Sequence, residues 1–494
     1  MALSLTNLVK AWLWKGLELA YNQFVGQIPG GLMNYTSLVL LELSNNQFSG
    51  SVSDSIGQLS KLETLLLSSN HLNGGIPKSL SRIETLSRFA SNQNLFSGNI
   101  PSGISKYLRN LDLSYNNLTG SIPSDFLSPP NLQHVDLTYN SLEGPIPSNI
   151  SQSLIRLRLG SNFLEGTIPS LTDGKLSQLT YLELDNNRLT GSVPQQLGTF
   201  QRLALLNLAQ NELSGPLPKE LGNLHQLQVM KLQSNRLTGE IPQQYSQLWK
   251  LSILNISRNS LNSSIPSAIS RLGNLTILDL RDNRIDGSIP DSIGNLNSLM
   301  ELQLGNNKLS GKIPFMPGKL QIALNLSRNL FDGPIPDTLK GLTALEVLDL
   351  SHNKLTGKIP YFLAGLQSLT LLLLSNNLLW GTPPNFPQPG IVVDTNGTKV
   401  LNSITTISGS DQTPTSPKKI SESALVFYIS FALSFSLRIW AVIAPLLFNR
   451  NWRRRYYRFL NIYFHICLAK LFEIQIRMMI TVRTKFCLRR QNFS

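Results

Sequence analysis

Arg156 and Arg158 flank Leu157, and two side chains at that spacing on an extended segment share one face. Each guanidinium offers a planar fork of donors that matches a carboxylate, so the pair is suited to gripping an acid group. Further pairs stand at the same spacing: Glu183 and Asp185, Lys231 and Gln233, Asp279 and Arg281, Glu301 and Gln303. Side by side they form a mixed-charge ladder, fit to recognise a ligand from about Arg156 to Gln303; the bland alternative is a solvated face with ordinary drift. Catalysis finds no such support. His71, His134, His225, His352 and His465 are scattered without metal-ligand spacing, and no nucleophile stands near a base. Cys467 and Cys487 are the only cysteines, so no disulfide framework supports the first 423 residues. No cofactor or metal is expected.

What places these pairs on one surface is a repeat. Aligned on L-x-L-x-x-N-x-L-x-G-x-I-P, the chain has its key Asn at 22, 46, 70, 94, 116, 140, 162, 187, 211, 235, 259, 283, 307, 329, 353 and 377. The period is mostly 24 residues, within the range of leucine-rich repeats. Leu182-Glu183-Leu184-Asp185-Asn186-Asn187-Arg188-Leu189-Thr190-Gly191-Ser192-Val193-Pro194 is a representative copy. The two leucines of L-x-L point to one side of a short strand, and stacking joins them into one core. The Asn follows the strand, pointing inward, where its amide can bond the backbone of adjacent turns. The Gly permits a backbone conformation that a Cβ resists, and the Pro fixes φ at the start of the next segment. Outward residues fall six, four, two and one before each Asn. Sixteen parallel strands about 4.8 Å apart make a strip of roughly 75 Å, long enough to bind along and too open to enclose a reaction.

The L-x-G-x-I-P half, as in Leu118-Thr119-Gly120-Ser121-Ile122-Pro123 and Leu355-Thr356-Gly357-Lys358-Ile359-Pro360, resembles the plant-specific leucine-rich-repeat class. The resemblance covers about residues 17–390. It implies an α/β repeat fold: a curved solenoid with a parallel β-sheet on its concave face. The class includes receptor-like kinases, receptor-like proteins without a kinase, and secreted polygalacturonase inhibitors. It implies a secreted peptide or cell-wall oligosaccharide as ligand and a co-receptor kinase as partner. Some peptide-binding members hold a peptide's C-terminal carboxylate with an Arg-x-Arg pair late in the array, whereas Arg156 and Arg158 stand in the seventh repeat. The paired cysteines of the family's N-terminal cap and its kinase domain are missing, which suggests that residues 1–16 are an incomplete N-terminal region.

Eight sequons fit a secreted domain. Asn34, Asn117, Asn149, Asn262, Asn274 and Asn396 are the candidate glycan acceptors, while Asn255 and Asn325 fall on the concave strands, where a glycan would block binding.

The net charge of +14 looks at first like a nucleic-acid signal. From Ala424 to Ser494 there are 12 Lys and Arg against one acid, Glu473, which leaves 31 basic and 28 acidic residues before them. The excess thus sits in a tail, and nucleic acid is not the expected partner. Residues 391–423 read as a juxtamembrane linker rich in Ser, Thr, Gly and Pro. Residues 424–448 read as one transmembrane helix, interrupted by Arg438. Its 14 Leu, Ile, Val and Phe contribute roughly −4 to −8 kcal/mol, against about 2.5–3.5 for one central Arg. Arg450, Arg453, Arg454, Arg455 and Arg458 follow, so residues 449–494 form a short basic cytoplasmic tail and the repeats face outside the plasma membrane. The tail has no glycine-rich loop, H-R-D or D-F-G; it also reads as translated non-coding sequence in place of a kinase. The chain is therefore expected to be a single-pass binding receptor, not an enzyme, that signals through partner kinases. The alternatives are a truncated receptor-like serine/threonine kinase and a secreted polygalacturonase-inhibitor-like protein.

Overall fold

A computed structural model describes residues 15–169, 177–387 and 390–397. The chain divides after residue 403, and all described residues belong to the first unit. The expected transmembrane helix 424–448 and cytoplasmic tail 449–494 lie outside the described residues, as does the linker beyond 397. Among the described residues no helix is long and apolar enough to cross a membrane.

Most L-x-L segments form a three-residue strand whose central residue is buried and whose neighbours are partly open, as at Asn110–Asp112, Arg156–Arg158 and Val347–Asp349. The strands pair in parallel, one repeat to the next, into a 17-stranded sheet running from Gly16–Glu18 to Val392–Asp394. This is the curved leucine-rich-repeat solenoid. Its core is a single file of Leu, Ile and Phe: Leu111, Leu113, Leu118 and Ile122 fill one rung and are at most 4% exposed.

The key Asn behaves as its position requires. In Asn140, Nδ2 donates to the Leu113 carbonyl of the preceding repeat at 3.0 Å and to the Leu137 carbonyl at 3.1 Å. Its Oδ1 accepts from the Leu118 backbone N–H, again in the preceding repeat, at 3.0 Å. Nearly every copy repeats this pattern, so one side chain satisfies buried backbone groups on two rungs at once.

Three features depart from expectation. The outer half of the repeat is not α-helical: among the described residues it forms five-residue 3-10 helices, each entered through a Pro or, once, Ser53. Packing of adjacent outer turns explains the narrow helix. A Cβ on Gly198 would stand 2.2 Å from the Glu220 carbonyl oxygen, so there is no room for a wider coil. Secondly, the L-x-G segments form parallel strands of their own, in sheets of eight, three and four strands beside the main one. Gly120 lies within such a strand, Asn117–Ser121, at φ +71° with Asn99 Oδ1 2.5 Å from where its Cβ would sit. Thirdly, the main sheet continues one strand past residue 390, into the stretch read as linker. Val393 replaces the usual Leu, and the Leu374 and Asn376 N–H groups donate to the Asp394 and Asn396 carbonyls at 2.8 Å each.

Candidate ligand-binding face

The residue before every key Asn, from Tyr21 to Asn376, has a positive φ of 51–58°. This left-handed step ends each strand and turns the Asn inward. It costs a non-glycine residue about 1 kcal/mol or more, and its own N–H, donated to a carbonyl of the following rung, holds it in place, as Tyr139 N–H does on the Gly160 carbonyl at 3.1 Å. The open face therefore presents columns of side chains at fixed offsets, and register makes every column a set of nearest neighbours.

In plain repeats the column four before the Asn bonds to the column two before it. Asp112 Oδ1 accepts from Ser114 N–H at 3.0 Å and Ser114 Oγ–H at 2.7 Å. Asp136 and Thr138, Asn255 and Ser257, Asn325 and Ser327, and Asp349 and Ser351 do the same. These polar pairs are sheet fittings. Several of the candidate pairs break the pattern, and each lands on this face.

Arg158 is the centre of a charge cluster. Its Nη1 lies 2.6 Å from Asp136 Oδ2 and its Nε 3.0 Å from Glu183 Oε1, so carboxylates of both neighbouring strands hold the one guanidinium. Burial opposes its charge, but Asp136 and Glu183 outweigh that and leave its pKa above the ordinary value. Arg156, the other half of the pair, is exposed and lies over the Tyr181 ring, 4.5 Å from its centroid. The two arginines thus share a face without forming one fork: Arg158 is spent within the sheet and Arg156 faces outward.

Around this cluster the carboxylates crowd. Burial, and then the Asp136 charge, push Asp112 up to about 6. Burial likewise raises Asp185, aided by the Glu183 charge. His134 is lowered by burial and by Arg156, and its Nδ1 lies 2.6 Å from Asn110 Oδ1. Among the described residues no three His, Cys, Asp or Glu groups are placed to hold a metal ion.

Further along, Asp279 is 3% exposed, its pKa raised by burial, and Arg281 Nη2 lies 3.2 Å from its Oδ2. Gln303 is buried too, donating to Glu301 Oε1 at 3.0 Å and accepting from Asn325 at 2.9 Å. Arg156 is exposed, the Arg281 side chain is 41% exposed, and Lys231 and Glu301 are half-buried. Selection by charge overlooked the column six before the Asn, where Leu205, Val229, Ile253 and Ile277 stand half-exposed on consecutive strands. It also missed the stacked rings of Tyr115 and Tyr139, 4.3 Å apart. Both follow from the same 24-residue offset.

Of the glycan candidates, Asn34, Asn149, Asn262, Asn274 and Asn396 are exposed, whereas Asn117 is half-buried in the strand Asn117–Ser121.

Family models described as leucine rich repeat match residues 177–237, 249–309 and 323–379, and 37–59, 61–83, 107–128 and 131–152. No curated protein matches the chain. Among solved structures, the plant peptide hormone receptor RGFR1 in complex with RGF2 is 37% identical with a TM-score of 0.74; the alignment covers 79% of this chain and 64% of that one. The LRR ectodomain of the Arabidopsis thaliana membrane receptor kinase GASSHO1/SCHENGEN3 is 38% identical with a TM-score of 0.69, covering 78% and 50%. The Arabidopsis receptor kinase HAESA, in complex with the peptide hormone IDA and the co-receptor SERK1, is 33% identical with a TM-score of 0.70, covering 79% and 71%. The chain spans between half and two-thirds of the first two of these structures. On the repeat, the fold and these likenesses, the chain belongs to the leucine-rich-repeat family, in its plant receptor-like class.

Proposed function

We propose that this chain is the extracellular, ligand-binding part of a plant receptor, anchored by residues 424–448, that takes a secreted peptide on its concave face between Arg156 and Gln303 and signals through partner kinases. The observation that carries the reading is the change in that face. Outside this stretch most polar pairs bond to each other, as Asp112 does to Ser114 and Asp349 to Ser351. Within it Arg156, Lys231 and Glu301 present charge outward beside half-exposed aliphatic side chains. Support also comes from similar ectodomains that were solved with peptide hormones and, in one case, with a co-receptor. A cell-wall oligosaccharide is the other ligand class, and five exposed sequons agree with a secreted domain.

A charge-reversal series at Arg156, Lys231 and Glu301 tests the face: ligand-dependent association with a co-receptor kinase is expected to fall with each change, and a series that left it intact would sink the reading. A second reading, the ectodomain of a receptor kinase, draws on the kinase descriptions of the GASSHO1/SCHENGEN3 and HAESA structures. The mass of the endogenous protein in a deglycosylated membrane fraction separates the two. A band near 54.9 kDa supports the kinase-free receptor, and one far above it supports a longer polypeptide.

A further inference from the structure

Where an outer turn re-enters its strand, several rungs make the same tight bend. The N–H groups of Gln201, His225, Trp249, Gly273 and Asn297 each donate to the carbonyl two residues back, at 2.8–3.0 Å. Four of these five places are polar or bare. Trp249 is the exception, and it is 56% exposed. Its counterpart one rung ahead is Gly273. Apart from chain neighbours, no atom lies within 4 Å of where a Gly273 Cβ would stand, so no side chain covers the indole from there. The next residue opens the sequon Asn274-Leu275-Thr276. Asn274 Nδ2 donates to the Trp249 carbonyl at 2.7 Å, and the Thr276 hydroxyl donates to the Ser252 carbonyl at 2.8 Å. Both polar ends of the sequon are thus tied to the rung that carries the indole.

We infer that the Trp249 indole is a platform for a pyranose ring, and that the ring is the first N-acetylglucosamine linked to Asn274. An Asn amide has two N–H donors, and a linked sugar replaces only one. The bond to the Trp249 carbonyl therefore survives glycosylation and keeps the sugar beside the indole. A pyranose offers one face of C–H bonds. That face covers the exposed ring, while the hydroxyls stay in water. The space in front of Gly273 admits the sugar, and a larger residue there would fill it. Lys250 steadies the indole: its Nζ lies 5.7 Å from the ring centroid and 2.5 Å from Gln226 Oε1. The inference rests on the reading of these repeats as a secreted domain and adds to it a saccharide site outside the concave strands.

The test is enzymatic deglycosylation of the native full chain, expressed in plant cells and followed site by site by mass spectrometry. Asn274 is expected to be occupied and to lose its glycan about three- to tenfold more slowly than Asn149 and Asn262, the range that an aromatic stack is worth. Trp249→Ala is expected to leave occupancy unchanged and to bring Asn274 to the rate of the other two sites. Gly273→Leu is expected to do the same with the indole still present, so the result does not hang on one variant. Circular dichroism checks that both variants fold. Loss of the Asn274 glycan at the reference rate, or protection that survives Trp249→Ala, overturns the platform and leaves the secreted reading standing. An Asn274 found bare, on a chain that binds free chitotriose through Trp249, overturns the linked sugar as the occupant. A chain with no glycan on any sequon overturns the inference and the secreted reading together.

Discussion

Replacing Asn140 by Ala removes a side chain that serves two rungs, and the structure allows its cost to be apportioned. The Leu113 carbonyl loses one of two amide donors but keeps Asn116 Nδ2 at 3.0 Å. The Leu137 carbonyl likewise keeps Asn162 Nδ2 at 3.0 Å. The Leu118 N–H has no such reserve: Asn140 Oδ1 is its side-chain acceptor, and Leu118 is fully buried. One orphaned buried donor costs about 1–3 kcal/mol, and weakening two shared acceptors adds about 1 kcal/mol in total, so the loss should be about 2–4 kcal/mol. Chemical denaturation followed by circular dichroism measures it, and amide exchange locates it, with Leu118 losing protection first. Asn140→Asp provides the control. It keeps an acceptor for Leu118 but turns the donors into oxygens facing two carbonyls. Burial would raise the folded pKa of the new carboxyl above its unfolded value, so stability should fall as pH rises between the two. A loss below about 0.5 kcal/mol for Asn140→Ala, with Leu118 protection intact, would refute the idea that this Asn ladder ties the rungs together.

Other outcomes follow from the charge cluster and the sequons. Asp112 has a pKa of about 6 against an ordinary 3.8, so its stabilising contribution is complete below 3.8 and is lost as pH rises through 6. The wild-type melting temperature should therefore drop over that window by an amount worth about 3 kcal/mol, and Asp112→Asn should remove the drop. Arg158→Met leaves Asp136 and Glu183 without their shared partner; a loss of about 1–2 kcal/mol is expected in thermal denaturation, shrinking at high salt or low pH. Peptide mapping after enzymatic deglycosylation should find Asn149, Asn262 and Asn274 occupied and Asn117 bare, because Asn117 lies half-buried in a paired strand.

The strands, the inward Asn and the Gly of the L-x-G segment were readable because each depends on a side chain repeating at a fixed offset. The outer half was not. Its 3-10 helices and the side sheets arise from how closely one rung packs on the next, as Gly198 against the Glu220 carbonyl shows, and no periodicity in a single copy encodes that distance. The left-handed residue was hidden for a similar reason: Tyr115, Ser161, Arg258 and His352 carry no common signal for positive φ, which the neighbouring rung's hydrogen bonds impose. The candidate face was half legible. Asp136, Arg158 and Glu183 sit 22 and 25 residues apart, the same intervals as Asn140, Asn162 and Asn187, so their contact follows from the repeat itself. Choosing residues by charge hid that Arg158 was already spoken for, and passed over the aliphatic column.

Each Asn reaches only backwards, from its own rung to the one before it. A joint between rungs is therefore always the same joint, whichever two copies meet. Unequal crossing-over that deletes or duplicates whole copies in frame would leave every such bond intact. Descendants of this chain can then vary in length in steps of about 4.8 Å, one strand spacing, while the chemistry of each rung is copied unchanged. Selection on such a molecule acts on the order of the rungs, as on beads of a few kinds restrung along a thread.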